Sequence, residues 1–336
     1  MTAAGCRFPL FRTRNEPKWL CCADAACSNN QATVASSSST ARSAPRRGSN
    51  TYAPPTPLED LHILDVLELA GSQHKAARAL EMHQTTVCRS LQLMQHQFWL
   101  ASAPGSPVCR HGHNLCLHHL RLAYREHRLM ADQLRIGSDV LHYTLLMGME
   151  GIQQVPPRFR SAEHWVELVH HGLLDGAILS SFSLNRPLKP GQEPAWEGIT
   201  VLPLGSISLQ LVAQAIDTRQ VLVPRKGAMP LLHQAIESHG FVVDQQPAAC
   251  QEPAAWLKRA HDRKLAMPVC SELLGRRWLT TNRMQPIADQ PPLIEQLWYL
   301  LPQRAVSTKA ARQSLRRLRL QVMKLKTMQD RHGIQY

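Results

Sequence analysis

"GSQHKAARALEMHQTTVCRSLQLM", residues 71–94, is the stretch on which the reading of this chain turns. It holds two short helical patterns a few residues apart. Ser72 is a candidate N-cap for a helix starting at Gln73, where Ala76, Ala77 and Leu80 line one side. The small alanines let another helix approach closely. Glu81 and Met82 make a short turn. The next helix, from about Gln84 to Gln97, carries Val87, Leu91 and Met94 at i, i+4 and i+7, a core-facing stripe. Its opposite face carries Gln84, Thr85, Thr86, Arg89 and Ser90, with no acidic residue between Met82 and Leu100. Amide and guanidinium groups can form paired hydrogen bonds to base edges, and short threonines allow close approach to a groove. A solvated polar face has the same periodicity, so periodicity alone leaves the two readings level.

Working outward, "PLEDLHILDVLELAG" places Leu61, Ile63, Leu64, Val66, Leu67 and Ala70 on one broad helical face, with Gly71 as the stop. Upstream, residues 1–57 are rich in Ser, Thr, Pro and Gly without a sustained apolar period and are expected to form a disordered, basic N-terminal extension. The same Arg- and Ser-rich, acid-poor composition fits an organellar transit peptide or an overextended start. Its "CCADAAC" run has no second cluster at zinc-ribbon spacing.

The 336 residues, 44% of them hydrophobic, have room for two domains with real cores. Nine scattered cysteines, an odd number, argue against a secreted disulfide framework and for a reducing, cytoplasmic setting. No run approaches the roughly 18 apolar residues of a membrane span, so no membrane partner is expected. The net charge of +13 sits at the two ends, +5 in residues 1–57 and +8 from Arg304 onward. The middle is neutral on balance, so charge alone does not mark a DNA-binding surface there.

Taken together, "LEDLHILDVLELAGSQHKAARALEMHQTTVCRSLQLM", residues 58–94, resembles the N-terminal winged helix-turn-helix of LysR-type transcriptional regulators. The matching features are the leucine-rich first helix ending at Gly71-Ser72, the Ala76-Ala77 pair with Leu80, Met82 in the turn, Gln84, and Arg89. In that family the positions of Gln84, Thr85, Thr86 and Arg89 face DNA, and the resemblance assigns them that role here. His74 and Lys75, opening the preceding helix, become candidates for phosphate contacts, which set register rather than sequence. The resemblance also implies a wing, with Phe98-Trp99 leading into it and "SAPGSPV" as its turn, over a domain of residues 58–112. A linker helix at 113–135, pairing with its equivalent in a homodimer or homotetramer, would follow. Ala101 stands where the family usually has a phosphate-binding arginine.

"CRHGHNLCLHH", residues 109–119, gathers Cys109, His111, His113, Cys116, His118 and His119. Imidazole and thiolate suit zinc or copper, but the spacing matches no established motif. The cluster is read as surface or interface residues, and neither a metal nor another cofactor is expected. Cys88, without a resolving partner nearby, is read as a small packing residue.

Residues 136–303 alternate apolar runs with helical patterns, as an α/β domain does. "LRIG" or "LHYTLLMG" is the candidate first strand. "GLLDGAIL" resembles a signature of the LysR effector-binding domain, and "LPLGSISLQLVAQ", "VLVPRKG" and "AAWLKRAHDRKLAMPVCSELL" add patchier matches. The resemblance implies two α/β lobes of periplasmic-binding-protein type around a cleft for a small-molecule effector. Strand ends in such sheets face the crevice, which makes Ser138, Ser180 and Ser181 the candidate effector contacts. The first lobe is short, and "HDRK" puts Asp262 and Lys264 where a glycine-rich turn is expected. "LIEQLWYLLPQ" reads as a late strand. At 304–336 a basic helix with the stripe Leu315, Leu318 and Val322 reads as a docking helix with a cationic outer face.

The sequence contains no GxGxxG, Walker loop, GxSxG or HExxH, so an enzyme is not expected. The expected architecture is an all-α winged helix-turn-helix plus linker helix, followed by a two-lobed α/β domain. The expected function is a dimeric or tetrameric transcription regulator that binds double-stranded DNA and answers to an unidentified effector. The competing reading is a degenerate LysR-like scaffold without sequence-specific DNA binding, which Ala101 and a balance of only +1 between Leu58 and Ile136 favour.

Overall fold

The computed structural model describes residues 58–333 apart from 107, 190, 216, 246–252, 275, 288–289 and 291. The extension expected over residues 1–57, with its "CCADAAC" run, lies outside the described residues.

Helix α1 (Glu59–Ala70) ends at Gly71, whose φ of 76° lets its N–H cap Leu67 O at 2.8 Å. A side chain there would be strained, and a Cβ would also run into the Arg158 guanidinium. Helix α2 (Gln73–Ala79) and helix α3 (Gln84–Gln97) follow, and Ala76, Ala77, Val87, Leu91 and Met94 pack under α1 as their spacing predicts. Ser90 departs from expectation. It is buried, and its hydroxyl donates to Asp60 Oδ1 at 2.6 Å, so it ties α3 to α1 instead of joining the exposed polar face.

Helix α1 is buried on all sides from Leu61 to Ala70, including His62, Asp65 and Glu68. The reason is helix α4 (Leu115–Met130), which with strand β1 (Leu134–Gly137) lies against its polar side. Asp65 accepts from Arg121 Nε at 2.7 Å and from Arg135 Nη1 at 3.1 Å. His62 Nδ1 accepts from Arg135 Nη2 at 2.7 Å, and Glu68 accepts from the His111 N–H at 2.7 Å. Behind them Asp175 takes a bidentate pair from Arg128 at 2.6 and 2.8 Å and the Arg135 N–H at 2.7 Å. Burial, with Arg135 and Arg128 adding to it, holds the His62 pKa down to about 3, which fits a neutral imidazole accepting from a guanidinium.

The helical run read as 113–135 is therefore shorter than expected. It is capped by Asn114, whose side chain accepts from Leu117 N at 2.8 Å. It stops at Met130, because Asp132 turns into the left-handed region (φ 52°) and the chain enters β1. The buried face of α4, Leu117, Arg121, Tyr124, Arg125, Arg128 and Leu129, packs within the same chain.

The α/β part continues with β2 (Ile152–Gln154), α5 (Ala162–His170), β3 (Gly176–Ser180), β4 (Ile199–Ala213) and β5 (Gln220–Val223). Then come α6 (Pro230–Ser238), β6 (Val242–Gln245), α7 (Pro253–Asp262) and β7 (Met267–Val269). The short α8 (Ser271–Leu274), α9 (Arg276–Thr281) and β8 (Gln285–Pro286) lead to β9 (Leu293–Pro302) and α10 (Lys309–Gly333). "LRIG" is the first strand; "LHYTLLMG" instead holds a 3-10 turn at Tyr143–Leu146 that buries Leu145 and Leu146.

The main sheet runs β2-β1-β3-β9-β4-β7, with β8 also on β4. Strands β1, β2 and β3 pair parallel, whereas β9 runs antiparallel to both β3 and β4. The long β4 slips register between Pro203 and Gly205, a bulge that bends it as it passes from β9 to β7. Strands β5 and β6 form a separate parallel pair that touches the β7 region through Val221 and Ala266. This is the α/β class expected from the sequence. Lys264 takes a left-handed φ of 52° in the turn before β7, the conformation a glycine would adopt without strain.

The C-terminal helix docks as its apolar stripe predicts. Leu318, Val322 and Leu325 are buried in the core, and Leu315 is packed against it. Gln329 bonds the Ser208 N–H and C=O of β4 at 2.9 and 2.8 Å. Among the described residues no helix is long and apolar enough to cross a membrane.

Candidate nucleic-acid interface

The α2–α3 pair is set by local chemistry. Ser72 caps α2 by accepting from the Lys75 N–H at 3.3 Å. After Leu80 the chain turns through Glu81 at φ 53°, and Met82 N closes the turn on Ala77 O at 2.9 Å. His83 then caps α3. Its Nδ1 accepts from the Thr85 N–H at 3.4 Å, and the Thr85 hydroxyl lies 2.8 Å from the same atom.

Anchoring by Val87, Leu91 and Met94 leaves Gln84, Thr85, Thr86 and Arg89 exposed together over the first turn and a half of α3. Gln84 Nε2 reaches Gln73 Oε1 on α2 at 3.5 Å, a loose contact that leaves the amide adjustable. Arg89 is exposed, and no acceptor holds its guanidinium among the described residues. His74 is exposed and Lys75 half-buried at the start of α2, beside this face. The surface therefore presents amides, hydroxyls and cations on a helix end whose own N–H groups are partly capped. Such groups can donate and accept in pairs to base edges or donate to phosphate oxygens.

Beyond α3 the backbone pairs Ala103 N with Arg110 O at 2.8 Å, which brings the two ends of the following loop together. Ala101, just before this pairing, is exposed and offers no charge. Trp99, in a left-handed conformation (φ 49°), is 89% exposed and so forms no part of the core.

The three serines proposed for an effector lie elsewhere, at the strand ends. Ser138 follows β1, is buried, and its hydroxyl has no partner among the described residues. Ser180 ends β3, donates to Glu295 on β9 and accepts from the Phe182 N–H at 3.1 Å. Ser181 accepts from the Gln296 N–H at 3.0 Å. The sequence reading missed the charges around them. His142 Nε2 bonds Glu295 Oε1 at 2.7 Å, and its Nδ1 lies 2.8 Å from Asp139 Oδ1, in contact but off the hydrogen-bond direction. Asp139 and Glu295 together hold the buried His142 pKa well above its ordinary value, against the opposing effect of burial. The three serines are thus brought near one end of β1, β3 and β9, with Ser180 and Ser181 already engaged. A cavity of about 550 Å³ opens at a different place, lined by His118, Leu122, Arg125, Val169, Pro302 and Arg304 among others.

No family model and no curated protein matches the chain. Solved structures similar to it include ArgP from Mycobacterium tuberculosis, 13% identical with a TM-score of 0.44, over 78% of this chain and 95% of that one. Full-length CbnR in complex with its target DNA is 12% identical with a TM-score of 0.41, over 78% and 99%. Full-length LysG from Corynebacterium glutamicum with bound effector Arg is 13% identical with a TM-score of 0.36, over 78% and 98%.

Proposed function

We propose that the chain is a DNA-binding transcription regulator of LysR type, with α2 and α3 as its helix-turn-helix and α3 as the helix that enters the major groove. One observation carries the reading: Gln84, Thr85, Thr86 and Arg89 stand exposed on one face of α3, which itself contains no acidic residue, while Val87, Leu91 and Met94 anchor the other. In this reading Gln84 and Arg89 form paired hydrogen bonds to base edges and the threonines permit close approach. His74 and Lys75 contact phosphate and set the register. The loop after α3 is the wing, lacking at Ala101 the cation that would grip the backbone.

The same reading makes the α/β part an effector domain of two lobes joined through β4 and β9, with Ser138, Ser180 and Ser181 at its cleft. An effector there competes with the Glu295–Ser180 and Glu295–His142 contacts, so its binding and the geometry of β9 are linked. The protein acts as a homodimer or homotetramer in the cytoplasm, and it is a regulator rather than an enzyme. Selection from randomised duplexes with the purified chain tests the proposal: enrichment of a defined motif supports it. Recovery of unenriched sequence instead supports the scaffold reading, in which the fold is kept without base recognition.

A further inference from the structure

A second cluster sits where the loop after α3, the start of α4 and the end of α5 meet. Cys109 closes the loop, His113 lies just before α4, and His171 is the first residue past α5, its N–H still bonded to Glu167 O at 2.8 Å. Gly172 lets this end of α5 approach closely, since a Cβ there would meet the Arg121 backbone at 3.2 Å. As a result one ligand atom from each of Cys109, His113 and His171 lies within 4.8 Å of the others. His118, one turn into α4, joins them, its ring centroid 5.8 Å from those of both His113 and His171.

Two further observations point to a ligand. The Nδ1 atoms of His171 and His118 are buried with no hydrogen-bond partner among the described residues, an arrangement that costs free energy unless something accepts their lone pairs or protons. The Cys109 sulfur is buried and takes a hydrogen bond from Arg121 Nη1 at 3.2 Å, the kind of outer contact that steadies a metal-bound thiolate. Asp65 bonds Arg121 Nε at 2.7 Å, which fixes the guanidinium beside the sulfur.

We infer that Cys109, His113 and His171, with His118 as a fourth ligand, form a binding site for a borderline-soft divalent transition metal, zinc in particular. Bonds of about 2.0 Å to nitrogen and 2.3 Å to sulfur place the ligand atoms of a tetrahedral zinc with one sulfur and three nitrogens roughly 3.3–3.5 Å apart. Side-chain rotation closes the gap from the observed spacing. On binding, the Cys109 thiol releases its proton to solvent and keeps the Arg121 hydrogen bond, with no change of oxidation state. The metal would staple the loop after α3 to the α/β part, a coupling that does not depend on whether α3 reads DNA. The set is completed by His171, 58 positions beyond His113, which the spacing within residues 109–119 does not reveal.

The test uses the full chain without a histidine tag, stripped by chelator and titrated with Zn²⁺, then with Co²⁺ as a spectroscopic reporter. The expected result is a tetrahedral Co²⁺ spectrum with a thiolate charge-transfer band that disappears in Cys109→Ser and persists in Cys116→Ser. His113→Ala, an exposed position where truncation leaves the fold intact, should weaken Zn²⁺ by at least the roughly 10- to 100-fold typical of losing even an outer contact. A Zn²⁺ stoichiometry and Co²⁺ spectrum identical in the parent, Cys109→Ser and His113→Ala chains would overturn the proposal. The same holds if the Co²⁺ complex lacks a thiolate band.

Discussion

Replacing Asp65 by Asn tests how the α1–α3 unit is fixed to the rest of the chain. Asp65 is fully buried and holds two guanidiniums that are also fully buried, Arg121 at 2.7 Å and Arg135 at 3.1 Å. An exposed pair would contribute at most about 1 kcal/mol, because water and salt screen it. Here the side chains are shielded from solvent, and removing the carboxylate leaves two buried cations facing a neutral amide. Breaking a buried pair in this way costs about 3–5 kcal/mol. The lower end applies if Asn keeps one acceptor on Arg121, and the upper end if it does not. For a domain of this size each kcal/mol moves the midpoint by about 2–4 °C, so Asp65→Asn should lower it by roughly 6–20 °C. Urea unfolding of the full chain measures the free energy directly. Hydrogen exchange should rise first in α1 and in the α4 face beneath it. The triple change Asp65→Leu, Arg121→Met, Arg135→Met should recover most of the loss, since a packed apolar set can replace a buried ion triad. A deficit for Asp65→Asn within the roughly 0.5 kcal/mol of a surface substitution would show that the buried triad does not hold α1 in place.

Two further outcomes follow from the buried histidines. His62 is depressed to about 3, so below its unfolded value of 6.5 the unfolded chain binds a proton that the folded chain refuses. Stability should therefore fall as pH drops through this window, by about 1.4 kcal/mol per unit from this group, and His62→Gln should flatten the slope in urea midpoints measured at pH 7, 6 and 5. His142 is raised instead, so its contribution with Glu295 is complete below 6.5 and fades as pH rises through the higher folded value. The stability gap between the parent chain and Glu295→Gln should be widest in mild acid and narrow in alkali; a gap that widens with pH would contradict the assignment.

Helices α1 to α3 were legible because their apolar residues repeat at helical spacing and Gly71 and Ser72 punctuate them. The buried polar side of α1 was not, since His62, Asp65 and Glu68 at three-residue spacing look like a solvated stripe. The burial of His62 and Asp65 depends on Arg121 and Arg135, which lie 56 and 70 residues on from Asp65, and that of Glu68 on the His111 N–H, 43 residues on. Ser90 was misplaced for the same reason: its partner Asp60 lies on another helix, 30 residues back. The α/β class and the docking of α10 could be read from alternating apolar runs and the Leu318–Val322 stripe. "LHYTLLMG" could not be told from a strand, because a short apolar run buries equally well as a turn. Of the candidate site, the exposure of Gln84, Thr85, Thr86 and Arg89 follows from the position of Val87 and Leu91 one turn apart. The charges gathered around Ser180 by His142 and Glu295 arise only when β9 comes back between β3 and β4.

The most direct measurement is the affinity of the full chain for its selected duplex and for a scrambled one, at fixed salt, for the parent, Arg89→Ala and Lys75→Ala. Arg89→Ala should lose about 1–3 kcal/mol, or roughly 5- to 150-fold, on the selected duplex alone, whereas Lys75→Ala should weaken both duplexes alike. Equal affinity of the parent chain for the two duplexes, unchanged by Arg89→Ala, would contradict base recognition by α3.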